Sequence, residues 1–448
     1  MDEIQYKKYF RLLFITCVFS AAIDGFFSFA YTGLSNIIPR YFGISDTELF
    51  FFSMMAGIGG ILSIISGALA DKIGRKKTML LVNFLFLFVI ILISISNIIN
   101  TPLFFLIWFF IWNFITLSDI WAIPLIDESP PEKRGKIQGI AVMVSGLSLL
   151  PIAIFVLFAT LDNWQIIYYF GLIIVIPGIY LNFKMDESKS FFYSDAKDKE
   201  LSIKSNYKEL FNKENRTTLI IVVFMVLSSA LSTSTGQYDV IFMTNVKLFP
   251  QPLVSLVFLL SFPLPITIYL GLIVSEKIGR KKAIIIFTSL ALLFKLIYTF
   301  SFNIPIVIIS YLLKLFMNFC NKGVIGLFIS ELFPTRIRGT SAGFSKSVSK
   351  LSFFITPLFG VLIFMIIGNI DYNSLWPFFE LLGADPSTIV SGVSDYGLQA
   401  FSYVFLFVTV SLFDIIIILV ILVGKPTETA GIDLRKLHSA NEMTENET

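Results

Sequence analysis

The sequence predicts an all-α membrane protein: twelve transmembrane helices in two six-helix bundles related by a pseudo-twofold axis. Three observations carry this. The 448 residues are 56% hydrophobic and only 15% charged, with a mean hydropathy of +0.81. Apolar runs of about 18 residues or more recur along the chain, long enough to cross a hydrocarbon core of roughly 30 Å. Two motifs of one half return, in the same order, in the other.

The spans must be helical. Backbone exposed to lipid can satisfy its own polar groups only in helices or closed barrels, and these runs lack the strict alternation of barrel strands. Apolar windows place helices at roughly 12–38, 48–70, 78–97, 102–126, 137–160 and 165–184 in the first half. In the second half they fall at roughly 217–245, 252–275, 283–301, 304–330, 341–367 and 399–423. Breakers such as Asn100-Thr101-Pro102, Asp162-Asn163 and Phe249-Pro250-Gln251-Pro252 separate them. The domains expected are a first bundle over 1–185, a polar linker over 186–216 with short amphipathic helices, a second bundle over 217–424 and a tail over 425–448.

Orientation follows from the basic residues. Lys72, Arg75, Lys76 and Lys77, then Lys133, Arg134 and Lys136, then Lys277, Arg280, Lys281 and Lys282, then Arg336 and Arg338 all fall in even-numbered loops. The odd-numbered loops hold Arg40 and Lys247, and residues 368–398 hold no basic residue. Both termini are therefore expected in the cytoplasm, on a multi-pass protein of the cell membrane. Met1 to Arg11 is charged and leads into a span too long for a signal peptide, so the first helix is expected to insert the chain itself. Cys17 and Cys320 lie in apolar segments of opposite halves and read as small buried hydrophobes.

The repeat is explicit. GALADKIGRKK begins at Gly67 and GLIVSEKIGRKK at Gly271; DESPPEKRG begins at Asp127 and ELFPTRIRG at Glu331. Asp127, Pro130, Arg134 and Gly135 match Glu331, Pro334, Arg338 and Gly339 at one fixed spacing. Parallel repeats of this kind place a solute site between the halves, near the midplane.

These residues resemble the major facilitator superfamily over nearly the whole chain. The segment Gly67-x3-Asp71-Lys72-x-Gly74-Arg75-Lys76-Lys77 is similar to its best-known signature. Glu331-x-x-Pro334-x3-Arg338-Gly339, Glu187-Ser188 and Glu428-Thr429-x-Gly431-x-x-Leu434 are similar to further motifs of the sugar-porter and metabolite:proton symporter branches. Ser229 to Tyr238 lacks the paired glutamines of sugar porters, which argues against a hexose. The resemblance implies a secondary transporter working by alternating access. It also implies a cytoplasmic gate of Gly67, Asp71, Gly74, Arg75, Asp127 and Arg134, mirrored by Glu276, Gly279, Arg280, Glu331 and Arg338. Lys76, Lys77, Lys281 and Lys282 read instead as topology markers.

Ionisable residues inside spans are candidates for function, since each costs roughly 2.5–3.5 kcal/mol on insertion scales. Asp24, Asp119, Asp239, Lys314 and Lys350 are such residues, with Gln237 and Asn318 as polar candidates to line a cavity. The chemistry expected is a lysine, Lys314 or Lys350, attracting an anionic group, and an acid, Asp24 or Asp119, carrying a coupling proton. The competing reading is that these charges pair across helices as structural bridges. Lys295 and Asp414, at similar depth on peripheral helices, are expected to form such a bridge. Lys322 and Lys346 read as near enough to the cytoplasm to snorkel.

No enzyme is expected: the sequence has no metal-ligand cluster, no P-loop and no nucleophile motif, and His438 sits in the polar tail. No cofactor or metal is expected, the proton gradient being the energy source. The partners are a small solute and the bilayer, with no nucleic acid, and the chain is expected to be a monomer. The leading reading is proton-coupled uptake of an organic acid or related metabolite; a sugar or polyol carrier and a drug or metabolite efflux antiporter are the alternatives.

Overall fold

The computed structural model describes residues 3–62, 73–115, 120–129, 134–188, 208–261, 263–333, 338–367, 393–426 and 428–429. Among them every regular element is helical. In chain order the main segments are α1 (Glu3–Gly33), α2 (Asp46–Leu62), α3 (Arg75–Ile95), α4 (Pro102–Ile115) and α5 (Arg134–Ser145, continued by Gly146–Leu149 and Leu150–Phe155). Then come α6 (Ile166–Phe170 and Leu172–Lys184), α7 (from Lys213–Ser234 on to Val246) and α8 (Gln251–Ser261 and Thr267–Ile278). Last are α9 (Arg280–Phe300), α10 (Ile304–Leu332), α11 (Arg338–Lys350 and Ser352–Ile367) and α12 (Val393–Gly424).

Eight of these are long and apolar enough to cross a membrane: α1, α3, α6, α7, α9, α10, α11 and α12. The other four are shorter or broken. The α2 run leads into residues 63–72 and the α4 run into 116–119, both outside the described set. α8 gives way at a 3-10 turn, Leu264–Ile266, beside Pro263 and Pro265, which cannot donate to the helical ladder. α1 starts at Glu3, earlier than hydropathy places it, because a charged first turn costs a helix outside the bilayer nothing, and it stops at Gly33.

The pairing of helices repeats. α1 packs on α5 and α6 as α7 packs on α11 and α12; α2 packs on α4 as α8 packs on α10; α3 packs on α4 and α6 as α9 packs on α10 and α12. The contacts that cross between the two sets, α2 with α11 and α5 with α8, are themselves exchanged by the same relation. Large apolar side chains such as Phe84, Phe88, Leu293 and Leu419 are exposed on the outer faces, where lipid is their solvent.

The crossings are close because glycine stands there. A Cβ on Gly57 of α2 would lie 2.5 Å from the Phe353 carbonyl oxygen of α11, and one on Gly139 of α5 would lie 3.1 Å from the Tyr269 ring of α8. Small residues let helix backbones approach in a medium where no hydrophobic force drives them together.

Candidate functional site

Two buried ion pairs lie inside the second bundle. The Lys314 Nζ of α10 donates to both carboxylate oxygens of Asp239 on α7, at 2.7 and 2.8 Å, and both side chains are 2% exposed. The same ammonium sits 4.4 Å from the Tyr298 ring centroid and 5.0 Å from that of Tyr311. Its charge is thus met on every side by Asp239 and two aromatic faces. Lys295 of α9 donates to Asp414 of α12 at 2.6 Å and to the Ser232 backbone oxygen and hydroxyl of α7 at 2.9 and 2.6 Å. The Ser232 hydroxyl in turn donates to Asp414. The pairing of Lys295 with Asp414 that their depth suggests is therefore present.

Around Asp239 the winding of α7 changes. A 3-10 turn over Thr235–Tyr238 follows Lys213–Ser234, and a π-helical turn over Phe242–Val246 follows Asp239–Ile241. Such irregular turns mark places where a helix bends. At its outer end Lys247 donates to the Thr299 and Ser301 carbonyls at 2.7 and 2.8 Å, closing the C-terminus of α9. Burial pushes this ammonium's pKa down to about 7.

A different arrangement surrounds Asp24. It is 8% exposed on α1, and its charge acts on Lys350 and Lys346 of α11 and on Lys322 of α10, all from the second bundle. Lys350 is 2% exposed and lies across Gly60 of α2, its Cβ and Cδ 3.6 and 3.7 Å from where a Gly60 Cβ would stand. These are ordinary van der Waals distances, so α2 and the Lys350 stem are packed in contact. Lys322 of α10 and Lys346 of α11 are exposed. Asn318 is half-buried one helical turn from Lys322, on the α10 face that also carries Lys314.

At the end of the molecule that carries the basic loops, each bundle repeats one construction. Gly74, with φ +104°, and Gly279, with φ +95°, precede α3 and α9 in a conformation that side chains strain to adopt. The Glu187 carboxylate, from the segment after α6, accepts from the backbone N–H groups of Arg75 at 2.9 Å and Lys76 at 3.0 Å. The Glu428 carboxylate, after α12, accepts from Arg280 at 2.8 Å and Lys281 at 3.2 Å. Both anions sit where free N–H groups and the helix dipole favour negative charge. The residue that follows each glutamate extends the chain of bonds: Ser188 donates to Glu128 at 2.8 Å, and Thr429 to Glu331 at 2.5 Å.

Arg280 makes a two-pronged contact with Glu331, both N–O distances being 3.4 Å, and donates to Ser275 at 2.6 Å. Glu128 thus stands opposite Ser188 as Glu331 stands opposite Thr429, one position beyond the Asp127 that direct alignment of the motifs pairs with Glu331. Glu276 is exposed and forms no hydrogen bond or ion pair among the described residues. Gly67, Asp71 and Asp119, and the side chains of Asp127, Arg134, Gln237 and Arg338, lie outside the described residues.

At the opposite end the bundles meet through polar contacts. Asn36 after α1 donates to Gln251 of α8 at 2.7 Å, Arg40 donates to Asn245 of α7 at 3.2 Å, and Ser255 of α8 donates to the Val156 carbonyl after α5 at 2.9 Å. Phe50 of α2 packs at a tilt against Tyr238 of α7 and Tyr403 of α12, with centroids 4.7 and 5.8 Å apart. This end is shut.

Comparison with known proteins agrees with this architecture. Residues 12–357 match the family model described as Major Facilitator Superfamily. An inner membrane metabolite transport protein, YhjE of Escherichia coli strain K12, is 26% identical over 201 residues, 42% of this chain and 44% of that protein. The match therefore spans less than half of the relative's length. The crystal structure of a D-xylose-proton symporter superposes with a TM-score of 0.67 at 15% identity, covering 91% of this chain and 97% of that one. A bacterial homologue of the human lysosomal transporter Spinster, in an inward-facing unoccupied conformation, gives 0.65 at 12% identity, covering 95% and 98%. At these identities the two structures speak for the fold alone.

Proposed function

Because the chain belongs to the major facilitator superfamily and is a secondary transporter, we propose that it carries a small organic anion into the cell together with a proton. The observation that carries this reading is the placing of Asp24 on one bundle against lysines of the other. Asp239 and Lys314 satisfy each other within one bundle, so their contact need not change when the bundles rock. A contact across the cleft must change.

The chemistry follows from charge. While ionised, Asp24 competes with any anion for the Lys350 ammonium. A proton on Asp24 cancels that competition, so proton and anion bind as a neutral set and leave as one. A carboxylate and an ammonium taken from water each lose several kcal/mol of hydration, so either ion arriving alone is disfavoured. A membrane potential of about 100 mV contributes roughly 2.3 kcal/mol for each charge moved.

The shut end lacks the basic loops, so by the positive-inside rule the cleft opens towards the cytoplasm, with both termini on that side. The Glu187 and Glu428 networks lie at that cytoplasmic end, each within its own bundle, where they fix the starts of α3 and α9. The work of YhjE as a metabolite transporter supports the solute class.

The test is transport in proteoliposomes. Asp24→Asn abolishes accumulation driven by a pH gradient and leaves solute exchange intact. Undiminished accumulation in that variant removes Asp24 from the coupling role, and alkalinisation of the lumen in place of acidification on adding solute would establish antiport.

A further inference from the structure

The two connections that meet at the shut end are built alike. Tyr41, after α1, donates its hydroxyl to the Ser96 carbonyl at 3.1 Å. Lys247, after α7, donates to the Ser301 carbonyl at 2.8 Å and to that of Thr299 at 2.7 Å. Ser96 and Ser301 end α3 and α9, and α1 stands to α3 in the first bundle as α7 stands to α9 in the second. Each connection is thus tied by one side chain to a helix C-terminus of its own bundle, where carbonyls lack helical partners. Each also reaches across: Asn36 meets Gln251 at 2.7 Å, and Arg40 meets Asn245 at 3.2 Å. Lys247 lies between Asn245 and Gln251 in the chain, so its segment is held from both sides.

The two ties differ in charge. One is a hydroxyl. The other is the ammonium of a residue only 8% exposed, with the Phe302 and Phe242 ring centroids at 4.0 and 5.0 Å. Its bonded partners among the described residues are neutral carbonyls. On the surrounding helices Asp239 is paired with Lys314, and Lys295 with Asp414. Glu276 lies at the far end of α8, Arg40 stands on the connection opposite, and the side chain of Asp395 on α12 lies outside the described residues.

We infer that Lys247 senses the pH outside the shut end: parting the two connections wets its ammonium, so a proton there favours the open form. Tyr41 and Lys247 are positioning residues, acting through the connections they hold. Burial favours the neutral amine and puts its pKa at about 7, whereas water restores the ordinary 10.5. The open form then binds more protons across that window. A fall in pH shifts the balance towards it by up to about tenfold per unit. Below about pH 7 both forms are protonated and the shift stops. Neither the solute nor Asp24 takes part.

The experiment measures the separation at the shut end. Spin labels are placed on cysteines at Leu103 of α4 and Ile304 of α10, both exposed there, in the full chain with Cys17 and Cys320 replaced by serine. Distances are read in lipid nanodiscs without solute, from about pH 9 to about pH 6, either side of the window set by burial. The fraction with the longer separation rises as the pH falls towards 7 and levels off below it. Lys247→Met removes the rise. Lys247→Arg removes it too, because a guanidinium stays charged throughout. Tyr41→Phe raises the open fraction at every pH and keeps the rise.

A separation that ignores pH, or shrinks with acid, overturns the sensor. So does a rise that persists in Lys247→Arg, which keeps a cation in place and decides the matter even where Lys247→Met does not fold. A rise that Tyr41→Phe abolishes equally also overturns it, because the response then belongs to the ties and not to the charge.

Discussion

Replacing Lys314 by methionine leaves the Asp239 carboxylate at 2% exposure with its two 2.7–2.8 Å donors gone. Removing one member of a buried pair costs about 3–5 kcal/mol, because the survivor keeps its desolvation penalty and loses its compensation. The two tyrosine faces near the ammonium add about 0.5–2 kcal/mol to what the lysine loses. A chain unfolded in a micelle also finds partners for its polar groups, so the lower figure, about 3 kcal/mol, is expected. Asp239→Leu incurs a similar loss by stranding the ammonium. The double variant, Asp239→Leu with Lys314→Met, removes both desolvation penalties and is more stable than either single variant. The assay is unfolding in SDS-containing mixed micelles, followed by helicity, for all four members of the cycle. The same four proteins are tested for pH-driven accumulation, which the double variant retains. Losses that simply add would show that the two charges do not compensate each other. A double variant that folds but no longer accumulates solute would place the pair in the transport site and refute its structural role.

Other consequences follow from the geometry. Glu187→Gln and Glu428→Gln each withdraw a negative charge from a helix N-terminus and lower stability by about 1 kcal/mol, measured by the same titration. Gly57→Leu places side-chain atoms against the Phe353 carbonyl and holds the shut end apart, so a cysteine at Gln251, in a chain whose Cys17 and Cys320 are serine, gains reactivity from that side. Lys247 binds fewer protons folded than unfolded between about pH 7 and its ordinary 10.5. Stability therefore rises with pH across that window, by at most about 1.4 kcal/mol per unit, and Lys247→Met flattens the rise between pH 7 and 9.

What the sequence reveals and what it hides divide along a physical line. Helix existence and the pseudo-repeat are legible because lipid demands long apolar runs and because the loop motifs are covalently local. The Lys295–Asp414 bridge is legible too, since two opposite charges at equal depth in an apolar medium have few other partners. The Asp239–Lys314 pair is not, because α7 changes its winding on either side of Asp239, and the direction of a side chain beyond a 3-10 turn cannot be counted from an ideal helix. Glu187 and Glu428 are visible as motif letters, yet their work is done on backbone N–H groups of distant helices, which no side-chain pattern encodes.

The distribution of charge also says which pair is able to couple. Lys295 meets Asp414, and Lys314 meets Asp239, within a single bundle that moves as a body. Rocking the two bundles leaves such distances unchanged, and a group whose surroundings never change cannot take up a proton on one side of the membrane and lose it on the other. Asp24 is placed otherwise: the lysines it acts on belong to the opposite bundle, so every change of access alters the field at its carboxylate. Coulomb energy at an effective dielectric of about 20 falls from roughly 4 kcal/mol at 4 Å to roughly 2 kcal/mol at 8 Å. A separation of a few ångströms between bundles is therefore worth more than one pKa unit, at about 1.4 kcal/mol per unit. Moving either partner to the other's bundle, by exchanging Asp24 with a neutral position on α10, would keep the charges and their depth while removing their dependence on access; such a chain binds solute and does not accumulate it.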